Sequence, residues 1–361
     1  MTAHGTAVAW SPVFAAHDNG PGAAFLDHQV LLPDERWDRG ARVGCLRDIL
    51  EWSAAGLPSV RLVEIDAPAD PEVVTSFHDP GYAAAQGIFD AVPPGSRTEA
   101  GLLAVAAVRD LCGQVWHRRV RNGYALVRPA GHHSETDSAG GGCLFANGVL
   151  AALRARELGA RRIVMIDWDA HHGNSQQAAF WDDPTVLTIS IHQNRHFAPG
   201  TGGTDARGDG AGFGTNLNVP VPMGSGGGVY RAVFDEVVRP AVDRFRPDMV
   251  LVPSGLDASY LDPSARLALH SADYRWLAEQ VVELAERHAG GRLLLTHEGG
   301  YALPYLPLCF LRIIEALSGD RTGVDDPFLR RWGTDFARAV PAEARELLAE
   351  CRRLAAEVPE P

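Results

Sequence analysis

Arg162-Ile-Val-Met-Ile-Asp-Trp-Asp-Ala-His-His-Gly-Asn174 is the stretch whose reading decides the fold. Ile163 to Ile166 is an unbroken apolar run, the pattern of a strand buried on both faces. It ends abruptly in Asp167, Asp169, His171 and His172, groups that resist burial unless paired, hydrogen-bonded or bound to a metal. In extended chain, residues two apart point the same way, so Asp167, Asp169 and His171 can project from one side. Carboxylate and imidazole offered together at a strand end suit a divalent metal such as zinc.

The alternation of strands and helices continues on both sides of this stretch. Upstream, strands are expected near Val8, over 59–65 and over 123–127. Helices are expected over 98–116 and 144–158, and Asp70 is a candidate cap for a short helix starting at Pro71. Downstream, strands are expected over 186–191, 249–253 and 292–296, with helices over 229–245, 272–289 and 304–317. The run 199–214 reads as a Gly-rich connection and 224–228 as a turn. Strands separated by helices imply an α/β fold, a central parallel sheet with helices on both faces. We read residues 1–361 as a single domain with a helical tail over 321–361. His132 and His133, Asp167 to His172, Asp257, and Glu298 to Tyr301 all follow predicted strands. Parallel sheets bind ligands at that edge, so four distant segments are expected to converge there.

Composition narrows the function classes. A net charge of −12 argues against nucleic acid as a partner. No apolar run approaches the length of a membrane span, and the first ten residues do not resemble a secretory leader. The five cysteines are scattered without a CxxC pair, which suits reduced thiols in a cytoplasmic protein. All 33 basic residues are arginine, which removes Schiff-base lysine and phosphate-loop chemistry. A homo-oligomer stays open, since nothing in the sequence sets the subunit count.

Asp169, His171 and Asp257 supply one imidazole and two carboxylates, the three-ligand set of a catalytic rather than structural zinc. The tandem His132-His133 is a candidate acid and base pair if the two imidazoles differ in protonation, with Asp167 and Asn174 as candidate partners. Tyr301, behind two glycines, offers a hydroxyl to a developing oxyanion. His192 and His172 read as structural, and Glu298 as a brace for its turn.

Arg128-Pro-x-Gly-His-His, Cys143-Leu-Phe, Asp167-Trp-Asp-Ala-His-His-Gly-Asn, Ser190-Ile-His, Pro199-Gly-Thr-Gly, Ser254-Gly-Leu-Asp-Ala, Asp262-Pro and Glu298-Gly-Gly-Tyr resemble the histone deacetylase and acetylpolyamine amidohydrolase family over about residues 10–320. Asn174 and Glu298-Gly-Gly-Tyr are similar to its class II branch and to bacterial histone-deacetylase-like amidohydrolases. The resemblance implies an arginase-like fold and zinc at Asp169, His171 and Asp257. It also implies His132 paired with Asp167, His133 as general base and acid, and Tyr301 polarising the carbonyl. A structural potassium near Asp167, Asp169, His171 and Ser190 is implied too. The substrate would be a small-molecule or peptide N-acyl amine.

Three departures fall on the implied substrate channel. Gly141-Gly142-Cys143 stands where the family has Gly-Phe-Cys, leaving Phe197 as the remaining aromatic wall. Ser264 replaces a gatekeeping Leu, and Leu256 replaces Phe before the metal-ligating Asp. A wider and wetter pocket is expected. Two rivals stay open. A binuclear manganese ureohydrolase would need carboxylates where Gly173 and Ser259 stand. A non-catalytic binder of acyl ligands would not need His132, His133 and Tyr301.

Overall fold

The computed structural model describes residues 5–17, 38–194, 201–332 and 337–361. Within them eight strands form one sheet: β1 (Thr6–Trp10), β2 (Val60–Glu64), β3 (Asn122–Ala125), β4 (Ile163–Asp167), β5 (Val186–Gln193), β6 (Asn216–Val221), β7 (Met249–Ser254) and β8 (Leu293–His297). Their order is β2-β1-β3-β8-β7-β4-β5-β6, and every neighbouring pair is parallel. All five residues of β4 are buried, with β5 on one side and β7 on the other. This is the environment its continuous apolar run requires.

Helices Arg97–Trp116 and Asn147–Glu157 pack together against β1, β3, β7 and β8. Helices Ser271–His288 and Leu306–Ser318 pack together against β1, β7 and β8. Two separate helix pairs on the same strands must lie on opposite faces, as expected. Asp70 caps its helix by accepting from Glu72 N (3.0 Å), and Ser96 caps the next long helix by accepting from Glu99 N (3.1 Å).

The structure adds elements beyond those expected. β6 was not anticipated; Pro220 lies inside it, although Leu217, Val219 and Val221 keep a strand's alternation. At the sheet's edge a residue without an N–H is tolerated, and helix Ala342–Ala355 covers that edge. Helix Ala41–Trp52 was likewise unassigned; it buries Arg42, Val43, Leu46 and Leu50. The expected helix over 229–245 starts at Gly227 and widens to a π turn at Phe234–Val238, just before Pro240. Proline cannot donate to the carbonyl four residues back, so the ladder must adjust there.

The chain's cations, arginine and histidine alone, make its ion pairs; Arg109–Glu157 (2.9 Å), Arg121–Glu286 (2.6 Å) and Arg287–Asp243 (3.2 Å) are examples. The five thiols are unpaired, four of them buried. No described helix is long and apolar enough to cross a membrane.

Candidate active site

The sheet order explains how distant segments meet. β3, β8, β7 and β4 are consecutive neighbours, and strands lie about 4.8 Å apart, so their C-terminal ends span only about 15 Å. His132 and His133 follow β3, Glu298 to Tyr301 follow β8, Asp257 follows β7, and Asp169 and His171 follow β4.

Asp169, His171 and Asp257 converge, with one ligand atom from each lying within 4.8 Å of the others. His171 Nδ1 is 3.0 Å from both Asp169 Oδ1 and Asp257 Oδ2. Backbone amides brace the carboxylates: Ala170 N donates to Asp257 Oδ1 (2.8 Å), His171 N to Asp169 Oδ1 (2.9 Å) and Gly299 N to Asp169 Oδ2 (2.8 Å). Only glycine fits at 299, since a Cβ there would sit 2.1 Å from Asp257 Oδ2. All three ligand candidates are buried. Two carboxylates so close together and out of water are stable only with a positive charge between them or a proton on one. Burial first, then the neighbouring Asp169, push Asp257 above the usual carboxylate range. The donor set and its burial fit a divalent cation.

The paired histidines stand beside this cradle, their ring centroids 3.9 Å apart. They have different partners. His132 Nδ1 is 3.1 Å from Asp167 Oδ2, whose other oxygen accepts from Asp169 N (2.9 Å). His133 Nδ1 is 2.7 Å from Asn174 Oδ1, at the start of helix Asn174–Ala179. Burial opposes charge on His132, but Asp169 and Asp167 outweigh it and push the ring up to about 10. His133 is driven well below the ordinary histidine range by burial, then by His132 and His171. Their surroundings therefore bias the two adjacent imidazoles in opposite directions.

Tyr301 hangs on two supports that sequence reading did not identify. Asp262 Oδ2 accepts from Tyr301 N (2.6 Å) and Ala302 N (3.1 Å). Arg42 lies with its guanidinium 4.4 Å from the centre of the Tyr301 ring and donates to Glu298 O (2.8 Å). Arg42 also pairs with Asp38, which binds Arg128 Nε (3.0 Å), so one buried ion cluster ties the loops after β3 and β8. Burial pushes the Tyr301 phenol well up, with Arg42 acting against it. Glu298 does more than brace its own turn. Besides Thr296 Oγ1 (2.8 Å), it accepts from Gly131 N (2.8 Å) and His132 N (3.1 Å), fixing the histidine loop. With His132 and Cys143 it forms a second buried group of metal-ligating type.

The remaining candidates divide. Ser190 pairs in register with Asp167, and its Oγ accepts from Gly173 N (3.3 Å) and lies 2.9 Å from His192 Nδ1. His192 sits within β5 rather than beyond it, and His172 Nδ1 meets Thr201 Oγ1 at 3.1 Å. Gly141 and Gly142 have φ of 57° and 79° in a turn closed by Cys143 N donating to Gly140 O (2.9 Å). Both central positions of such a turn favour glycine, so a Phe at 142 would be strained whatever the space. Leu256 is buried, its N donating to Gly299 O (2.9 Å). Ser264 is buried too, and its hydroxyl donates to Asp262 Oδ1 (2.6 Å). Phe197 lies outside the described residues.

Comparison with known proteins agrees with this fold. The family model described as "Histone deacetylase domain" matches residues 64–317. The chain is 45% identical, over 65% of its length and 62% of the other protein's, to a "Histone deacetylase-like amidohydrolase" of Pseudomonas aeruginosa. It is 35% identical, over 65% of its length and 66% of the other's, to a "Probable deacetylase" of Archaeoglobus fulgidus. The chain thus spans somewhat less than two thirds of these relatives. Among solved structures it is similar to the "HDA15 HD domain", with a TM-score of 0.81 at 26% identity, covering 99% of this chain and 95% of that one.

Proposed function

This chain belongs to the histone deacetylase family, and from that premise we propose that it is a zinc-dependent amidohydrolase that removes an acetyl or other acyl group from an amine. One observation carries the proposal: a three-ligand cation cradle stands beside two imidazoles with different partners, a carboxylate for His132 and an amide for His133. A cation held by Asp169, His171 and Asp257 would polarise the amide carbonyl and acidify a water. His133, the low-affinity imidazole, takes the proton of the attacking water at its ring nitrogen and returns one to the leaving amine. His132, supported by Asp167, keeps its proton and stabilises negative charge as it develops. Tyr301 donates its hydroxyl to the carbonyl oxygen, and Arg42 and Asp262 hold it for that contact. A potassium ion beside Asp167 and Ser190 belongs to the same proposal, supported by their pairing across β4 and β5.

The substrate is proposed to be a small or peptide N-acyl amine, bulkier near the scissile bond than a slender acetyl-lysine. The missing ring at Gly142 supports this. Ser264 supports it less, because its hydroxyl is engaged by Asp262. Since the backbone at 142 disfavours any side chain, the informative comparison is among substrates of the native protein. Branched or aromatic N-acyl amines should be turned over with higher kcat/KM than acetyl-lysine peptides or acetylpolyamines; the reverse ranking would refute the wide pocket.

The decisive experiment is hydrolysis of a fluorogenic acetyl-lysine amide and an N-acyl amine panel by metal-stripped and zinc-loaded protein. Zinc-dependent turnover with one zinc per chain is expected; two divalent transition-metal ions per chain, or no turnover of any amide, would overturn the proposal. Tyr301→Phe is expected to lower kcat by about 10²–10³-fold, the usual loss for one oxyanion donor, with little change in KM. Near-normal kcat on an unactivated amide would remove Tyr301 from the mechanism.

A further inference from the structure

Asn174 presents an amide to His133, and an amide can face either way. Its Oδ1 lies 2.7 Å from His133 Nδ1, while its Nδ2 donates to Glu135 Oε1 at 2.6 Å. An ionised carboxylate only accepts hydrogen bonds. Glu135 therefore admits one orientation of Asn174, with NH2 toward itself and oxygen toward the imidazole. The flipped amide would set Oδ1 against the carboxylate and NH2 against Nδ1. With Oδ1 facing it, Nδ1 must be the ring's donor, which leaves Nε2 as its basic nitrogen.

Glu135 is itself held in place. Its N donates to Ser138 O (2.8 Å), Ser134 and Ala139 form an antiparallel bridge, and Thr136 O accepts from Asp79 N (2.7 Å). The turn after the paired histidines thus aims one side chain back at the partner of the second. His132 needs no such device, because either oxygen of Asp167 can accept from it.

We propose that Glu135 is a positioning residue that sets the tautomer of His133 through Asn174. Interposing a neutral amide keeps the carboxylate charge one side chain away from the imidazole, unlike the direct contact between Asp167 and His132. The inference rests on the proton-transfer role proposed above for His133.

The test is a double-mutant cycle read by kinetics and by NMR. Glu135→Ala is expected to lower kcat about tenfold with KM within twofold. Glu135→Gln, which keeps an acceptor toward Nδ2, should recover most of the loss. In an Asn174→Asp background either carboxylate oxygen accepts from Nδ1, so Glu135→Ala should leave kcat unchanged or raise it by removing a like charge. An equal loss in both backgrounds would mean a merely structural role and would overturn the proposal, as would an unchanged kcat for Glu135→Ala in the native background. Long-range ¹H–¹⁵N spectra of zinc-free protein provide a readout independent of turnover. The His133 ring should be the Nδ1–H tautomer in the native protein and shift toward Nε2–H in Glu135→Ala. A native Nε2–H tautomer would refute this inference while leaving the amidohydrolase proposal intact. Failure of amide hydrolysis with the expected tautomer shift would do the opposite.

Discussion

His133→Ala is expected to lower turnover by about 10²–10⁴-fold, the range for losing a positioned general acid and base. On the proposed mechanism both proton transfers fall to this one ring, since its neighbour is engaged by the Asp167 carboxylate. The loss should be present with an activated fluorogenic amide and larger with an unactivated one, whose poor leaving group needs the returned proton most. Metal content should stay at the native level, because His133 is not among the converging ligand atoms. A variant retaining near-normal kcat on both amides, with native zinc content, would exclude His133 from proton transfer.

Asp257→Ala is expected to abolish hydrolysis and metal retention together. It removes one of three ligands and also the acceptor of Ala170 N, which lies between the other two ligands. Asp169 and His171 would then face each other buried without the third donor, so some loss of stability should accompany the loss of metal. Elemental analysis, turnover and circular dichroism on the same sample separate these effects. Native zinc content with native turnover would remove Asp257 from the ligand set. A folded, metal-free and inactive protein is the expected result.

Much of this site was legible because parallel sheets put polar clusters at predictable places. The apolar run Ile163–Ile166 stops at Asp167, and the same break in pattern marks Ser254-Gly-Leu-Asp257 and His297-Glu-Gly-Gly-Tyr301. What could not be read was which of these groups touch across the sheet. Arg42 reaches Glu298 O over 256 residues of sequence, and no local pattern distinguishes it from a solvated arginine. Its helix did carry a signal in Val43, Leu46 and Leu50, at helical spacing. Glu135 looked like one polar residue in a polar turn. The role proposed for it depends on a 2.6 Å contact to a residue beyond the next strand. β6 was hidden by a proline that its edge position tolerates. At Gly142 the sequence suggested only a missing ring, whereas the backbone makes glycine the fitting residue.

The lysine-free ion pairs have a chemical consequence for a protein proposed to work on acylated amines. Acyl donors such as thioesters and acyl phosphates neutralise proteins chiefly at the lysine ε-amine, which this chain lacks. Guanidinium groups stay protonated at any physiological pH and offer no free amine to such reagents. Contacts such as Arg42–Asp38–Arg128 beneath Tyr301, and Arg121–Glu286 on the surface, therefore keep their charge wherever lysine-based pairs would be capped. The chain also offers no side-chain amine that could become a substrate for another copy of itself.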